Sequence, residues 1–352
     1  MQESNAAVRD GQQLSEQQSD EYDVIGVRNL SDDYFEVGRE ESRKFAAAVR
    51  NHHRFHLDEK AAAEAGHPNI QAPLTFSSLM GNPMEQQDII DAVPGNYSLS
   101  QVLHVEQRIA YHQPLYVGDR VWRVSSIDEF RPSGRADLIV VKNEYVRDDG
   151  QLVQTVWTSV LARSGGGIDP EISAFADRVM CVNMPPRPRI NPARGPELDH
   201  IHEPSLKAYV SDAVRRVDEW QQGQTLPSKE FVIRRSDVWR YSGVASDPNP
   251  IHFSENMAHL AGLETLVAQA MLNLGFGAGF VSELVGDPAA VRELRARFTN
   301  PIFMHPDTVA RIEFAAKVKT LDVEARQAEL ALTATHEGKR IFGRCTAVVD
   351  LR

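Results

Sequence analysis

The chain carries one sequence pattern twice, and this repeat limits the possible fold more than any other feature. A shift of 196 positions, applied without a gap, superimposes the following residues: Phe45 on Tyr241, Asn51 on Asp247, His56 on His252, Ala65-Gly66 on Ala261-Gly262 and Ala72 on Ala268. Pro114 and Asp119 fall on Pro301 and Asp307 at a shift near 187. Ordered agreement of this kind over about 130 residues indicates an internal duplication.

Each copy is predicted to be a helix-rich stretch followed by antiparallel strands. In the first copy the strands are expected at residues 120–127, 136–146 and 152–162, and in the second at residues 309–318, 329–335 and 340–349. Turn residues separate the last two strands of each copy, Asp148-Asp149-Gly150 in the first and Glu337-Gly338 in the second. Such turns are typical of β-hairpins.

The most apolar stretch, residues 263–281, predicts a helix that is buried on nearly every side. Glu264, Gln269 and Asn273 interrupt it, so it is too short to span a membrane. A helix that is apolar all round in a globular chain must be enclosed by the fold, most simply by a sheet. The expected class is therefore α+β.

One rigid corner lies just before this helix. Asp247 precedes His252 by five residues, and Pro248 and Pro250 lie between them. Two prolines this close exclude a regular helix and favour a fixed turn. Ser236-Asp237 is expected to cap a helix before the corner, and Ser254-Glu255-Asn256 a second helix after it. A carboxylate and an imidazole fixed in this way suit general acid–base chemistry, although a structural Asp-Pro turn with a hydrogen-bonded His would give a similar pattern.

The residues around this corner resemble the MaoC-like hydratase/dehydratase family. The resemblance is carried by Tyr241, Gly243, Asp247, Asn249-Pro250-Ile251-His252, Ala258, Gly262 and Ala268 to Met271, and later by Arg297-Phe298, Pro301, Asp307 and residues 339–344. It implies a double hotdog, in which two antiparallel sheets each wrap a central helix. The first copy is similar to the non-catalytic subunit of (3R)-hydroxyacyl-acyl-carrier-protein dehydratases, through Asn51, Ala65-Gly66, residues 72–76 and residues 150–155. The chain thus resembles a fusion of two subunits.

The resemblance implies an enzyme that reversibly dehydrates (3R)-3-hydroxyacyl thioesters in fatty acid metabolism. Asp247 and His252 would form the catalytic pair, and the backbone N–H near Ala270 would stabilise the thioester oxyanion. Asn249, Gln269, Ala270 and Gly275 are assigned to substrate binding. Which member of the catalytic pair takes the α-proton stays open. Gln269-Ala270 stands where the family usually has His-Gly, and this change points to an altered substrate or a weakened activity.

Two other functions stay open on the sequence. A weakly catalytic protein that binds acyl thioesters would fit Gln269-Ala270 and the first copy, where Asn51 replaces the carboxylate. An amide cannot exchange a proton at neutral pH, so the first copy is expected to be inactive and to shape the acyl tunnel. A hotdog thioesterase is the third possibility and fits the Asn-Pro-Ile-His corner less well.

The predicted organisation is a disordered tail (1–22), a non-catalytic hotdog (23–163), a linker rich in Pro and Arg (164–216) and a catalytic hotdog (217–352). The linker is expected to be an extended strap with a helical patch near residues 205–220. Its cations Arg187, Arg189 and Arg194 could meet a phosphate, but solvated charges explain them better.

Composition narrows the partners. A net charge of −11 argues against nucleic acid and anionic membranes, and also against an acidic carrier protein unless a local basic patch compensates. The substrate is expected on coenzyme A or on acyl carrier protein, with no metal and no cofactor. His52-His53, His200 and His202 lack the neighbours of a metal site. Two cysteines and no signal peptide favour the cytoplasm. A homodimer is possible.

Overall fold

The structure is a computed structural model of the chain. It describes residues 24–81, 93, 97, 101–133, 136–163, 167–180, 190–192, 201 and 211–352. The predicted tail, most of the linker, its three arginines, His200, His202 and Cys181 lie outside these residues.

The first half contains short helices followed by long strands, as the sequence predicts. Its elements are β1 (Asn29–Ser31), β2 (Phe35–Glu36), α1 (Arg39–Ala48), α2 (Glu59–Glu64), α3 (Ser77–Met80), β3 (Val102–Tyr111), β4 (Arg120–Arg131), β5 (Asp137–Arg147) and β6 (Leu152–Ala162). The predicted strand at residues 152–162 is confirmed at both ends. A 3-10 turn, Arg54–His56, lies between α1 and α2.

The second half repeats this order after two connecting elements, α4 (Pro170–Val179) and β7 (Ile190–Pro192). Its elements are β8 (Thr225–Ile233), α5 (Arg235–Ala245), α6 (Glu255–Leu260), α7 (Ala270–Val285), β9 (Val291–Phe298), β10 (Ala310–Asp322), β11 (Gln327–His336), β12 (Lys339–Arg340) and β13 (Phe342–Asp350). A 3-10 turn, Pro250–His252, occupies the position of the turn in the first half. The three strands expected here are confirmed, with ends that shift by a few residues.

The strands that the structure describes in both halves form one continuous sheet of 13 strands. The order is β7-β1-β4-β5-β6-β3-β9-β13-β11-β10-β8, with β2 and β12 pairing at the side of β4 and β11. The two hotdog sheets meet where β3 pairs antiparallel with β9, with Arg108 opposite Arg295. The expected pair of sheets is therefore joined edge to edge, which leaves neither sheet with an open edge at the junction.

The buried helix predicted in the second half is α7. The rings of Phe276 and Phe231 on β8 stack with centroids 5.1 Å apart, and α7 also contacts β9 at the other end of the same half-sheet. The sheet therefore curves around the helix. Gly286 ends α7 in a left-handed conformation, and a Cβ there would lie 2.2 Å from the carbonyl oxygen of Ala213. At the corresponding position of the first half, the described residues include one short helix, α3.

The two halves also contact each other through α1 and α5, which are equivalent in the repeat. The rings of Phe45 and Tyr241, superimposed by the shift of 196, lie 6.0 Å apart at their centroids. Arg50 pairs with Asp237 at 2.6 Å and also donates to the backbone oxygen of Val232. A pair of equivalent helices in direct contact is expected of a duplicated dimer-like unit.

Two local expectations are corrected. Helix α5 is capped by Arg234, not by Ser236-Asp237, and Asp237 lies at its third position, where it accepts from the Arg234 N–H at 2.8 Å. The linker is not wholly extended, because it contains α4. Asp169 accepts from the first-turn amides of that helix, and Pro170 begins it. The described part of the predicted patch at 205–220 contains only a 3-10 turn, Val217–Glu219.

Candidate active site

The corner before α6 is built by a left-handed residue that ends α5. Ser246 has φ 51° and ψ 43°, and the backbone N–H of Asp247 donates to the Ser242 carbonyl at 2.9 Å. Arg50, the equivalent residue of the first half, has φ 48°. A left-handed residue that is not glycine is uncommon and costs conformational energy. Both copies therefore have a strained bend, which lies just before Asn51 in the first half and just before Asp247 in the second.

Asn249 fixes the turn between the two predicted catalytic residues. Its side-chain oxygen accepts from the Ile251 N–H at 3.3 Å, and its carbonyl accepts from the His252 N–H at 3.2 Å. The Asp247 Oδ1 accepts from the Asn249 N–H at 3.1 Å. Asn249 therefore holds the backbone between the pair, and the structure gives it no described contact that would mark a substrate subsite.

The imidazole of His252 is held in one orientation. Its Nδ1 donates to the Val267 carbonyl at 2.8 Å, so the neutral ring keeps a lone pair on Nε2. That Nε2 lies 3.6 Å from the Asp247 Oδ2. This distance is longer than a direct hydrogen bond, and it allows both atoms to bind the same water molecule or substrate hydroxyl. The Asp247 side chain is 22% exposed and that of His252 9%, so the pair borders solvent.

Helix α7 begins beside this pair. Ala270 is its first residue, and Val267, which binds His252, precedes it by three positions. The first-turn amides of a helix lack intrahelical partners and carry the positive end of its dipole. The predicted oxyanion donor therefore lies at the end of the helix where an anion is stabilised.

Gln269 is buried and connects α7 to α5. Its Nε2 donates to the Val238 carbonyl at 3.1 Å and to the Ser242 Oγ at 2.7 Å. Its Oε1 is buried without a hydrogen-bond partner. A buried acceptor without a donor costs free energy unless a ligand supplies one, so Gln269 is the substrate-binding candidate with the clearest physical support.

Gly275 is not brought to the pair by any described contact. A Cβ at this position would lie 2.5 Å from the Val49 Cγ1. The glycine lets α7 approach the first half closely, which is a packing role. Its assignment to substrate binding stays a prediction without a supporting contact.

The equivalent pair in the first half is closed. The Asn51 Nδ2 lies 3.1 Å from the His56 Nε2, and the His56 Nδ1 donates to the Gln71 carbonyl at 2.9 Å, so both imidazole nitrogens are occupied. Asn51 is 1% exposed and His56 0%. Burial lowers the pKa of His56 to about 3, so the ring is neutral. A Cβ added at Gly279 of α7 would touch the Asn51 side chain at 3.2 Å.

A buried polar network closes the first half further. The His67 Nε2 donates to the Asp287 Oδ2 at 2.9 Å, and Ser211 donates to the same oxygen at 2.5 Å. Burial alone would raise the pKa of Asp287, but the hydrogen bond from His67 leads the contacts that lower it below its ordinary value. The network joins both halves and the end of the linker.

Sequence reasoning missed two residues of the site. Ser242 and Val267 act through a hydroxyl and a carbonyl that bind Gln269 and His252. Val267 had an available signal, because it lies 196 positions after Gln71, whose carbonyl binds His56 in the same way. Ser242 had none, since its counterpart is Ala46.

The described residues contain no group of three His, Cys, Asp or Glu side chains placed to hold a metal ion. Across the same residues, no helix is both long and apolar enough to cross a membrane.

Comparison with known proteins agrees with the repeat. A model of the FAS1-like dehydratase domain region matches residues 23–156, and a model of the MaoC-like domain matches residues 219–336. A solved MaoC-like dehydratase is 31% identical and superimposes with a TM-score of 0.83, covering 94% of this chain and 99% of that one. The chain belongs to the MaoC-like dehydratases.

Two further proteins are similar to this chain, one in sequence and one in fold. A UPF0336 protein of Mycobacterium leprae is 36% identical over 143 residues, which are 41% of this chain and 86% of the relative. A conserved hypothetical protein of Mycobacterium tuberculosis, described as having a double hotdog fold, superimposes with a TM-score of 0.60 at 12% identity, over 93% of this chain and 97% of that one. The latter supports the fold alone. The expected family and the double-hotdog fold are confirmed.

Proposed function

We propose that this dehydratase reversibly removes water from (3R)-3-hydroxyacyl thioesters to give trans-2-enoyl thioesters. The single observation that carries the proposal is the Asp247–His252 pair, with Oδ2 and Nε2 3.6 Å apart at the start of α7. The pair is partly exposed, whereas its counterpart in the first half is closed.

The reaction needs three things from the protein. An α-proton must be taken, the departing hydroxyl must receive a proton, and negative charge on the thioester oxygen must be stabilised. Asp247 and His252 share the two proton transfers, and the His252 Nε2 is the nitrogen that can exchange a proton because Nδ1 is held by Val267. The Ala270 N–H faces the thioester oxygen.

Gln269 binds the substrate in this proposal. Its Nε2 is fixed by α5, so its buried Oε1 accepts from a donor on the substrate, either the hydroxyl or an amide of the thiol arm. The methyl group of Ala270, where the family has glycine, narrows the pocket and favours a subset of acyl chains.

The test is the hydration of a trans-2-enoyl-CoA by the purified protein. We expect Asp247→Asn and His252→Ala each to lower kcat/KM by about 10²–10⁴, the usual contribution of a positioned acid or base. Asp307→Asn is the matched control, because Asp307 lies on an exposed turn, and it should retain full activity. A series of enoyl chain lengths on both carriers defines the substrate.

Two results would reject the proposal. Wild-type turnover no faster than that of both variants would leave a protein that only binds acyl thioesters. Release of free thiol in place of hydration would indicate a thioesterase.

A further inference from the structure

Four exposed cations lie together at one end of the second half's sheet. Arg297 is on β9, Lys339 and Arg340 form β12, and Arg344 is on β13. Phe298 pairs with Phe342 and Ala296 with Cys345, so Arg297 lies opposite the bulge that contains Arg344. We call these four residues the basic patch.

Acids within the described part of the chain do not neutralise the charges of the basic patch. Across the described residues, no ion pair joins any of the four to a carboxylate. Glu106 lies opposite Arg297 on β3, but its carboxylate is paired with Arg295 at 2.5 Å. Glu337, in the turn before Lys339, is the nearest acid along the chain. In a protein with a net charge of −11, a cluster of this kind is a local exception that long-range attraction can use.

The basic patch is connected to the candidate active site by a short turn. Residues 299–304 of this turn bind the patch on one side, where the Asn300 Nδ2 donates to the Arg340 carbonyl at 2.7 Å. On the other side, the Ala268 N–H donates to the Ile302 carbonyl at 2.9 Å, two residues before Ala270. The patch therefore borders the segment that leads into α7.

The duplicated fold supplies an internal control. The Thr299 N–H donates to the Ile341 carbonyl as the His112 N–H does to Val153, which aligns residues 339–340 with residues 151–152. The first half has Gln151 and Leu152 there, and Ala110 at the position of Arg297. The cations thus occur only in the half that keeps the open Asp–His pair.

We propose that the basic patch docks an acidic carrier protein that presents the acyl thioester to Asp247 and His252. The basic patch spans the three strands β9, β12 and β13, so it offers more cations than one phosphate needs and suits the acidic face of a protein. This inference rests on the proposed function for its substrate but not for the docking itself.

The test compares two charge reversals of equal size. The first is Lys339→Glu with Arg340→Glu; the matched control is Lys44→Glu with Lys60→Glu, two exposed lysines of the first half. The probes are a purified bacterial holo-acyl carrier protein of fatty acid synthesis, the same carrier bearing a trans-2-butenoyl group, and trans-2-butenoyl-CoA. Circular dichroism verifies that each variant is folded.

Carrier binding is measured by fluorescence anisotropy without turnover. We expect the patch variant to bind holo-carrier at least about tenfold more weakly and with less salt dependence, and the control to bind like the wild type. The kcat/KM for the carrier-bound substrate should fall by about the same factor, while that for the CoA substrate changes less than twofold.

Equal binding of the carrier by both variants would overturn the docking proposal. An equal loss with both substrates would also overturn it, and would assign the patch to the phosphates of coenzyme A. If no thioester turns over but carrier binding still depends on the patch, the docking surface stands and the proposed reaction fails.

Discussion

Replacement of Ala270 by proline removes the backbone N–H that the proposed reaction uses as its oxyanion donor. Ala270 is the first residue of α7, and proline is well tolerated there because its missing N–H has no intrahelical partner. Gln269 before it has φ −61° and ψ 136°, the extended conformation that a residue before proline prefers. Ala270→Pro should therefore change the free energy of unfolding by no more than about 1 kcal/mol.

The expected effect on activity is much larger. Loss of one preorganised oxyanion donor costs about 10²–10³ in rate, or about 3–4 kcal/mol of transition-state stabilisation. We expect this loss in kcat for trans-2-enoyl-CoA hydration, followed through the absorbance of the conjugated enoyl thioester. Ala270→Gly is the matched control, since it keeps the N–H and removes the methyl group, and its rate should stay within a few-fold of the wild type or exceed it.

The two variants distinguish the effect of the Ala270 N–H on the reaction from the effect of the Ala270 methyl group on packing. Thermal unfolding of both must resemble that of the wild type for the rates to be compared. If Ala270→Pro is folded and hydrates the substrate at the wild-type rate, the N–H of Ala270 does not stabilise the oxyanion, and the placement of the thioester at the start of α7 is wrong.

Three further predictions concern the packing of α7 on the first half and the buried Asn51–His56 pair of that half. Gly275→Ala places a Cβ 2.5 Å from Val49, so denaturant unfolding should show a free energy of unfolding lower by about 1–3 kcal/mol. Gly243→Ala is the control, because its Cβ would have no atom within 4 Å, and it should raise the free energy of unfolding by about 0.5–1 kcal/mol. Equal changes in the two variants would contradict the close approach of α7 to the first half. Asn51→Asp should create no second active site and should destabilise the fold by a few kcal/mol, because the carboxylate would be buried; a doubled kcat per chain would disprove the closure. Burial lowers the pKa of His56 to about 3, so the folded state binds fewer protons than the unfolded state between about pH 3 and 6.5, and the free energy of unfolding rises with pH in this range. His56→Asn should reduce this slope by up to about 1.4 kcal/mol per pH unit. An unchanged slope would show that His56 is not a buried neutral imidazole.

Much of the second half could be predicted from the sequence because its determinants are local. The two prolines limit the turn between Asp247 and His252, and Ser254 caps α6 as expected, accepting from the Met257 N–H. The strand at residues 152–162 follows from β-rich composition between turn residues. These features depend on neighbours a few positions apart, where periodicity and capping rules apply.

Features that depend on distant partners could not be predicted in this way. The pairing of β3 with β9 joins residues that are 183 or more positions apart in the sequence, and the ion pair of Arg108 with Glu293 spans the same junction. The role of Gln269 as a connection to α5 required the positions of Val238 and Ser242. Helix α4 did have a local signal in Asp169-Pro170, but the density of prolines after it favoured an extended linker.

The closed site of the first half and the open site of the second depend on each other physically. An amide at position 51 can donate to the His56 Nε2 at 3.1 Å, a direct bond that leaves both groups satisfied without water, whereas the Asp247 carboxylate stays 3.6 Å from His252 and needs solvent or substrate between them. The satisfied pair can therefore be buried completely, and α7 packs on it at Gly279. That packing fixes the same helix whose first residue, Ala270, lies beside the open pair. The amide of Asn51 thus satisfies His56 without water and presents a buried surface against which α7 of the second half packs.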